Sequence, residues 1–299
     1  MKRMFSLFSM LFFIFICNGV WGQSVPNGDF ENWDKYTTYE NPRFWKTPND
    51  LTATIDVFTV LKESSNIHSG DYSARLESKS FMTMTIPGFM TLGDFSFEMT
   101  TMDYEIFGGI PFSDRPAFLS GYHKYAPSTG DSLFISVILF KYDTVNKKQD
   151  TIGFGYKLDG NSVSSWSAFS IPIQYLSSET PDSMNIVILS SASMSAPAGT
   201  ILLIDSLHFG NTPLSLEDDL SINKIYIYPN PAHERLCIEA DVPIEAVEVY
   251  SITAVHISTY FPKESNKIII DCSNYRAGLY LIRLRSEGLW YEKKVIINR

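Results

Sequence analysis

Arg115, Tyr122, His123, Lys124 and Tyr125 interleave cationic and aromatic side chains along one short segment, RPAFLSGYHKYAP, around Gly121 and between prolines. Phenol rings with hydroxyl handles beside a guanidinium offer a polar, ring-shaped ligand faces to stack on and donors for its hydroxyls. With Trp45, the residues Arg115, Tyr122 and Tyr125 form the candidate ligand-binding set. An exposed platform of such rings would be an unusual apolar patch and would mark a binding site. The competing reading is that these rings rim a buried strand and cover the core. For Trp33 and Trp166, which sit inside apolar segments, that core reading is the stronger one.

Evidence of catalytic chemistry is thin, and no catalytic residue is assigned. HExxH, GxSxG and a phosphate-cradling loop are all missing, and Gly153 and Gly155 fall in a strand pattern with no helix after them. His68, His123, His208, His233 and His256 are scattered rather than clustered. A glycoside hydrolase needs only two facing carboxylates, and Asp103, Glu105 and Asp114 lie near the aromatic segment. As loop charges they are ordinarily solvated.

The elements that must position these side chains are strands. LFISVILF (Leu133–Phe140) is an almost unbroken apolar run rich in β-branched residues, the pattern of a strand buried on both faces. YDTVNKKQDTIGFGYKLDG continues it as a hairpin whose second strand is Thr151–Lys157. Leu51, Ala53, Ile55 and Val57 alternate with polar residues and predict a half-buried strand, and another runs through Ala74 and Leu76 after the Ser69-Gly70-Asp71 turn. Trp166 to Ile173, Met184–Ser190 and Ile201–Phe209 follow, whereas residues 81–110 show no firm period. Many short strands without an amphipathic helix predict an all-β sandwich, and spacing alone leaves jelly roll and immunoglobulin-like topologies both open. The aromatic stretch after Ser24 is expected to lie across a sheet.

At 299 residues the chain suits two domains. Its net charge of −9, with no basic run beyond the N-terminus, argues against nucleic acid as a partner. Lys2 and Arg3 precede an apolar run from Phe5 to Ile16, so residues 1–22 read as a signal peptide, with no membrane insertion expected after its removal. The acidic NTPLSLEDDLSIN stretch reads as a linker, giving a first domain over 23–212, a linker over 213–223 and a second small β-sandwich over 224–299. Without Cys17, only Cys237 and Cys272 remain, as one disulfide or as two buried thiols.

IYPNPAHERLCIEA (Ile227–Ala240), VEVYS (Val247–Ser251), YRAGLYLIRL and the closing KKVIINR together resemble the C-terminal sorting domain of type IX secretion in Bacteroidota. That resemblance implies export, the type IX secretion machinery as partner, removal of the tail and a secreted or outer-surface location. NGDFENW, HSGDYSARLES, RPAFLSGYHKYAP, WSAFSIPIQY and GTILLIDSLHF resemble PCMD, a carbohydrate-metabolism domain family of the same bacteria. This second resemblance implies a jelly-roll, lectin-like or carbohydrate-binding-module-like fold and a glycan ligand. It also implies a structural calcium (Ca2+) held by Glu31, by Asp71 in the Ser-Gly turn and by Asp205, and carboxylates near a tight turn suit that ion. The expected function is noncatalytic glycan recognition. Glycoside hydrolysis, a role as accessory protein in glycan degradation, and a purely structural or adhesive role stand as alternatives.

Overall fold

The computed structural model describes residues 24–82, 84–98, 103–144, 148–192, 198–214, 225–253, 255–262, 265–286 and 289–298. The expected signal peptide and the acidic triplet of the linker lie outside the described residues.

The strands up to the linker are β1 (Trp33–Lys35), β2 (Glu40–Pro42), β3 (Val60–Glu63), β4 (Ser73–Glu77), β5 (Lys79–Phe81), β6 (Met84–Ile86), β7 (Phe89–Thr91), β8 (Asp94–Glu98) and β9 (Asp103–Phe107). Then come β10 (Ile110–Pro111), β11 (Phe118–Ala126), β12 (Leu133–Asp143), β13 (Lys148–Asp159), β14 (Val163–Pro172), β15 (Gln174–Tyr175), β16 (Ser183–Leu189) and β17 (Ile201–Gly210). Two antiparallel sheets make a jelly-roll-like sandwich. Sheet I runs β10-β16-β12-β13-β15, with β7 also on β16, and sheet II runs β14-β11-β17-β4-β3.

Alternation decides what the sandwich buries. Leu133, Ile135, Val137 and Leu139 of β12 meet Leu119, Tyr125, Phe169, Leu202 and Ile204 of sheet II in one core. Each such aliphatic side chain contributes about 1.5–3 kcal/mol by leaving water. The intervening Phe134, Ser136 and Ile138 are buried as well, as the unbroken apolar run predicts. The N-terminal stretch closes the sandwich edge with Val25, Phe30 and Trp45.

One predicted strand is a helix. Residues Asn49–Thr52 form an α-helical turn that continues as a 3-10 turn over Ala53–Ile55. Asn49 is fully buried and anchors this turn: its Nδ2 donates to Val60 O at 2.7 Å and to Asn41 Oδ1 at 3.2 Å, and its Oδ1 accepts the Thr59 N–H at 3.0 Å. Leu51 and Ile55 are left exposed, so the alternation did not record a buried face.

After the linker, β18 (Ile225–Tyr228), β19 (Arg235–Ile244) and β22 (Ser265–Asp271) form one sheet, while β20 (Ala246–Ser251), β21 (His256–Tyr260), β23 (Gly278–Ser286) and β24 (Leu289–Ile297) form a second. Among the described residues, no strand before the linker shares a sheet with one after it. The core of this C-terminal unit gathers Leu236, Ile238, Val247, Val249, Tyr280, Ile282 and Leu284. Cys272 is buried in it, Cys237 is only half-buried, and both thiols are unpaired.

Candidate functional site

The aromatic-cationic segment becomes β11, an interior strand of sheet II lying between edge strand β14 and β17. Its alternation turns Tyr125 inward, where it is 1% exposed and its hydroxyl donates to Ser190 O at 3.0 Å. Burial first, and then the carboxylates of Asp131 and Asp159, push its phenol far above the usual tyrosine range. A ring sealed this way cannot stack on a sugar, so Tyr125 leaves the ligand-binding set. Trp45 leaves it for the same reason. It is 3% exposed, its Nε1 donates to Pro26 O at 3.1 Å, and its ring tilts against Phe30.

Arg115 is exposed but engaged. Its guanidinium lies 4.0 Å over the Tyr175 ring, Nη2 donates to Ser177 O at 2.8 Å, and Nη1 donates to Glu179 O. Tyr175 is itself fixed by a 2.8 Å bond from its hydroxyl to Pro116 O. The arginine therefore pins the 177–179 turn to the start of β11. Tyr122 faces outward on the sheet, yet the His68 ring stacks on it at 3.6 Å and 16°, with Trp166 edge-on to His68 at 5.9 Å. The loop between β3 and β4 thus covers a face of Tyr122 that a ligand would need. Trp33, half-buried, donates from Nε1 to Phe30 O at 2.6 Å, in keeping with its core reading.

The expected calcium ligands instead staple that same loop. Asp205, wholly buried at a bulge in β17, accepts the N–H groups of His68 (3.0 Å) and Ser69 (3.1 Å) on Oδ2, and that of Ser206 (2.6 Å) on Oδ1. Burial raises its carboxyl above the usual range, and the three amides only partly offset this. Glu31 Oε1 accepts the N–H groups of Asp71 (2.9 Å) and Tyr72 (3.1 Å), while the Asp71 side chain stays exposed. Gly70 passes so close that a Cβ there would stand 2.1 Å from Glu31 Oε1, and its φ of +71° also favours glycine. Amide donors aimed at both carboxylates supply the positive charge a cation would have brought. Among the described residues, no group of three or more His, Cys, Asp or Glu is placed to hold a metal. Glu31, Asp71 and Asp205 therefore do not fit a calcium site.

Ser206 is in the left-handed region (φ +56°), with its Oγ 3.1 Å from His68 Nδ1 and 3.0 Å from Ser69 Oγ. A serine beside a histidine is a nucleophile's arrangement only if amides remain to hold an oxyanion. Here the amides of His68, Ser69 and Ser206 go to Asp205, and that of Leu207 goes to Gly28 O at 2.7 Å. The contact is structural. Of the carboxylates considered for hydrolysis, the side chain of Asp103 lies outside the described residues. Glu105 is paired with Arg276 of the C-terminal unit, while Asp114 stands near Tyr175.

Open aromatic surface is found instead in a stretch the sequence presented only as a covering segment. The β1–β2 hairpin turns through Tyr36-Thr37-Thr38-Tyr39, closed by the Tyr36 N–H donating to Tyr39 O at 2.9 Å. The Tyr36 and Tyr39 rings stack at 4.7 Å and 9°, and Tyr39 stacks on Phe58 at 5.6 Å and 22°. This staircase borders a cleft of about 390 Å³ lined also by Lys35, Glu40 and Lys62. Tyr36 is 46% exposed. Tyr39 is held in place by its hydroxyl, which donates to Asp50 Oδ1 at 2.8 Å; burial and then Asp50 push its phenol up to about 12. Lys62 pairs with Glu40 and lies over the Tyr72 ring. The two tyrosines spaced three apart across a turn were the one available signal.

No curated protein matches the chain in sequence. Solved structures resemble it distantly. A candidate glycoside hydrolase from Bacteroides thetaiotaomicron is 17% identical with a TM-score of 0.47, covering 63% of this chain and 71% of its own. A carbohydrate-binding module specific for non-crystalline cellulose is 10% identical with a TM-score of 0.35, covering 63% of this chain and 95% of its own. A module in complex with β-1,4-galactotriose is 10% identical with a TM-score of 0.29, covering 62% of this chain and 91% of its own. Residues 226–298 match the family described as the secretion system C-terminal sorting domain, so the C-terminal unit is the type IX tail that marks this chain for export.

Proposed function

We propose that this is a noncatalytic glycan-binding protein of the outer cell surface or the medium, and that its ligand lies in the cleft beside the β1–β2 turn. The observation that carries this reading is the Tyr36–Tyr39–Phe58 staircase, whose outermost ring is open to solvent at the mouth of a cleft of about 390 Å³. That volume falls within the usual range for small-ligand sites. A ring already stacked on its neighbour has little freedom left to lose on binding, which favours stacking on a sugar. Lys35, Thr37, Thr38 and Glu40 supply donors and acceptors for hydroxyls at the rim. The likeness of residues 24–210 to the PCMD landmarks and the export tail support the same reading.

Affinity electrophoresis through gels containing neutral or acidic polysaccharides tests it. Retardation by at least one polysaccharide, lost in Tyr36→Ala with an unchanged melting temperature, is the expected result. Retardation that survives Tyr36→Ala would place the site elsewhere. The sealing of Tyr125 and Trp45 favours a second reading, a purely structural surface protein, and passage through every gel without retardation would support that instead.

A further inference from the structure

Strand β23 is buried on both sides. Tyr280, Ile282 and Leu284 close the core of the tail, whereas Leu281 and Arg283, only 1% and 5% exposed, point the other way. Register lines up Tyr250, Leu281 and Lys294 in one row and Glu248, Arg283 and Glu292 in the next, so three strands present a single face. That face lies on the outer side of sheet I. Tyr250 and Leu281 pack with Phe89, Phe134, Val187 and Leu189. Arg283 Nη2 donates to Ser132 Oγ at 2.8 Å while its guanidinium sits 4.2 Å over Trp290. Lys294 Nζ lies 4.8 Å from the centre of the Phe154 ring and 5.1 Å from that of Tyr156, and donates to Gln174 Oε1 at 3.2 Å.

A desolvated arginine at the middle, aromatic neighbours and a shared apolar cluster are the marks of an affinity-bearing interface rather than of two surfaces that happen to touch. Stripped of the tail, Phe134, Val187 and Leu189 would form an apolar patch that a soluble chain rarely shows. We infer that the outer face of sheet I is a docking surface for the tail that works without the covalent link, so that cutting the connecting segment leaves the tail in place and the sheet covered.

The test is made on the full chain with a specific protease site placed between residues 215 and 224, cut after purification and run on size exclusion at low micromolar concentration. The two fragments are expected to co-elute at pH 5.5, and to separate in Leu281→Asp but not in Ile269→Asp, which alters a residue 61% exposed on the tail's other sheet. Fragments of the unaltered sequence that part at pH 5.5 would overturn the inference. Circular dichroism before cutting checks that each variant is folded. Should Leu281→Asp fail there, Arg283→Ala serves in its place, with a Kd at least tenfold weaker expected and an unchanged Kd counting against the docking surface.

Discussion

Tyr125 and Tyr36 are the same side chain put to opposite uses. Tyr125 sits on a central strand, flanked by β14 and β17, and alternation sends it into the core with its hydroxyl on Ser190 O. Tyr36 stands in the turn of a two-stranded hairpin, where its ring can pack on Tyr39 and still face water. The crowding of rings and charges around Tyr125 accompanies a buried ring, because aromatic density reports proximity to a core as readily as it reports a site. What separates the two is the register, not the composition. The largest expected effect follows from this. Tyr125→Ala should cost about 3–5 kcal/mol in urea denaturation, through the cavity and the stranded Ser190 carbonyl. Tyr36→Ala should stay within about 0.5 kcal/mol of the parent. Equal losses in the two variants would erase the distinction.

Next in size is the Asp205 staple. Asp205→Asn keeps an acceptor but gives up charge-assisted bonds to three amides, at a cost of about 1–3 kcal/mol near neutral pH. Because burial raises this carboxyl in the folded state, its contribution to stability is largest at low pH and is lost as pH rises through the folded value. Asp205→Asn should therefore flatten part of the pH dependence of the melting temperature on the acid side. A calcium titration is expected to shift the melting temperature of neither form, and a saturable rise in the parent would restore the metal reading.

Much of the scaffold was legible because strand periodicity survives in single positions. The run Leu133–Phe140 announced a strand with two buried faces, and ILLIDSLHF announced β17. The tail was legible as ordered landmarks, and the structure adds why LYLIRLR is buried on both sides: one face makes the tail's own core and the other, with Leu281 and Arg283, meets sheet I. Facing was less legible. The bulge in β17, opposite Ser120 and Tyr122, moves its core-facing positions from Leu202 and Ile204 to Leu207, and no local pattern records a bulge. Nor could spacing reveal that the partners of Asp205 are amides lying 137 and 136 positions back in the chain. At Leu51–Val57 a period of two was imitated by a helical turn whose apolar side chains stay in solvent.

A smaller effect is expected at Arg115, an exposed side chain whose donors are already taken. Lysine keeps the charge but not the planar fork that reaches Ser177 O and Glu179 O while covering Tyr175. Arg115→Lys should lower stability by about 0.5–1 kcal/mol and leave polysaccharide retardation unchanged. A loss of retardation without a loss of stability would return Arg115 to the ligand-binding set.

The smallest expected effect lies inside the cleft. Tyr39 does not meet the ligand in this reading; it holds Tyr36 at a fixed tilt, and its own position depends on the bond to Asp50 Oδ1, which Asn41 Nδ2 also reaches at 2.9 Å. Tyr39→Phe removes the hydroxyl and keeps the ring, so the staircase persists with one restraint fewer. Asp50 retains Asn41, and the change in stability should stay near about 0.5 kcal/mol. Affinity should fall about two- to threefold, whereas Tyr39→Ala, which removes the surface Tyr36 rests on, should reproduce most of the loss seen in Tyr36→Ala. If the two Tyr39 variants bind alike, the ring beneath Tyr36 is dispensable and pre-ordering of the platform is not what the hairpin provides.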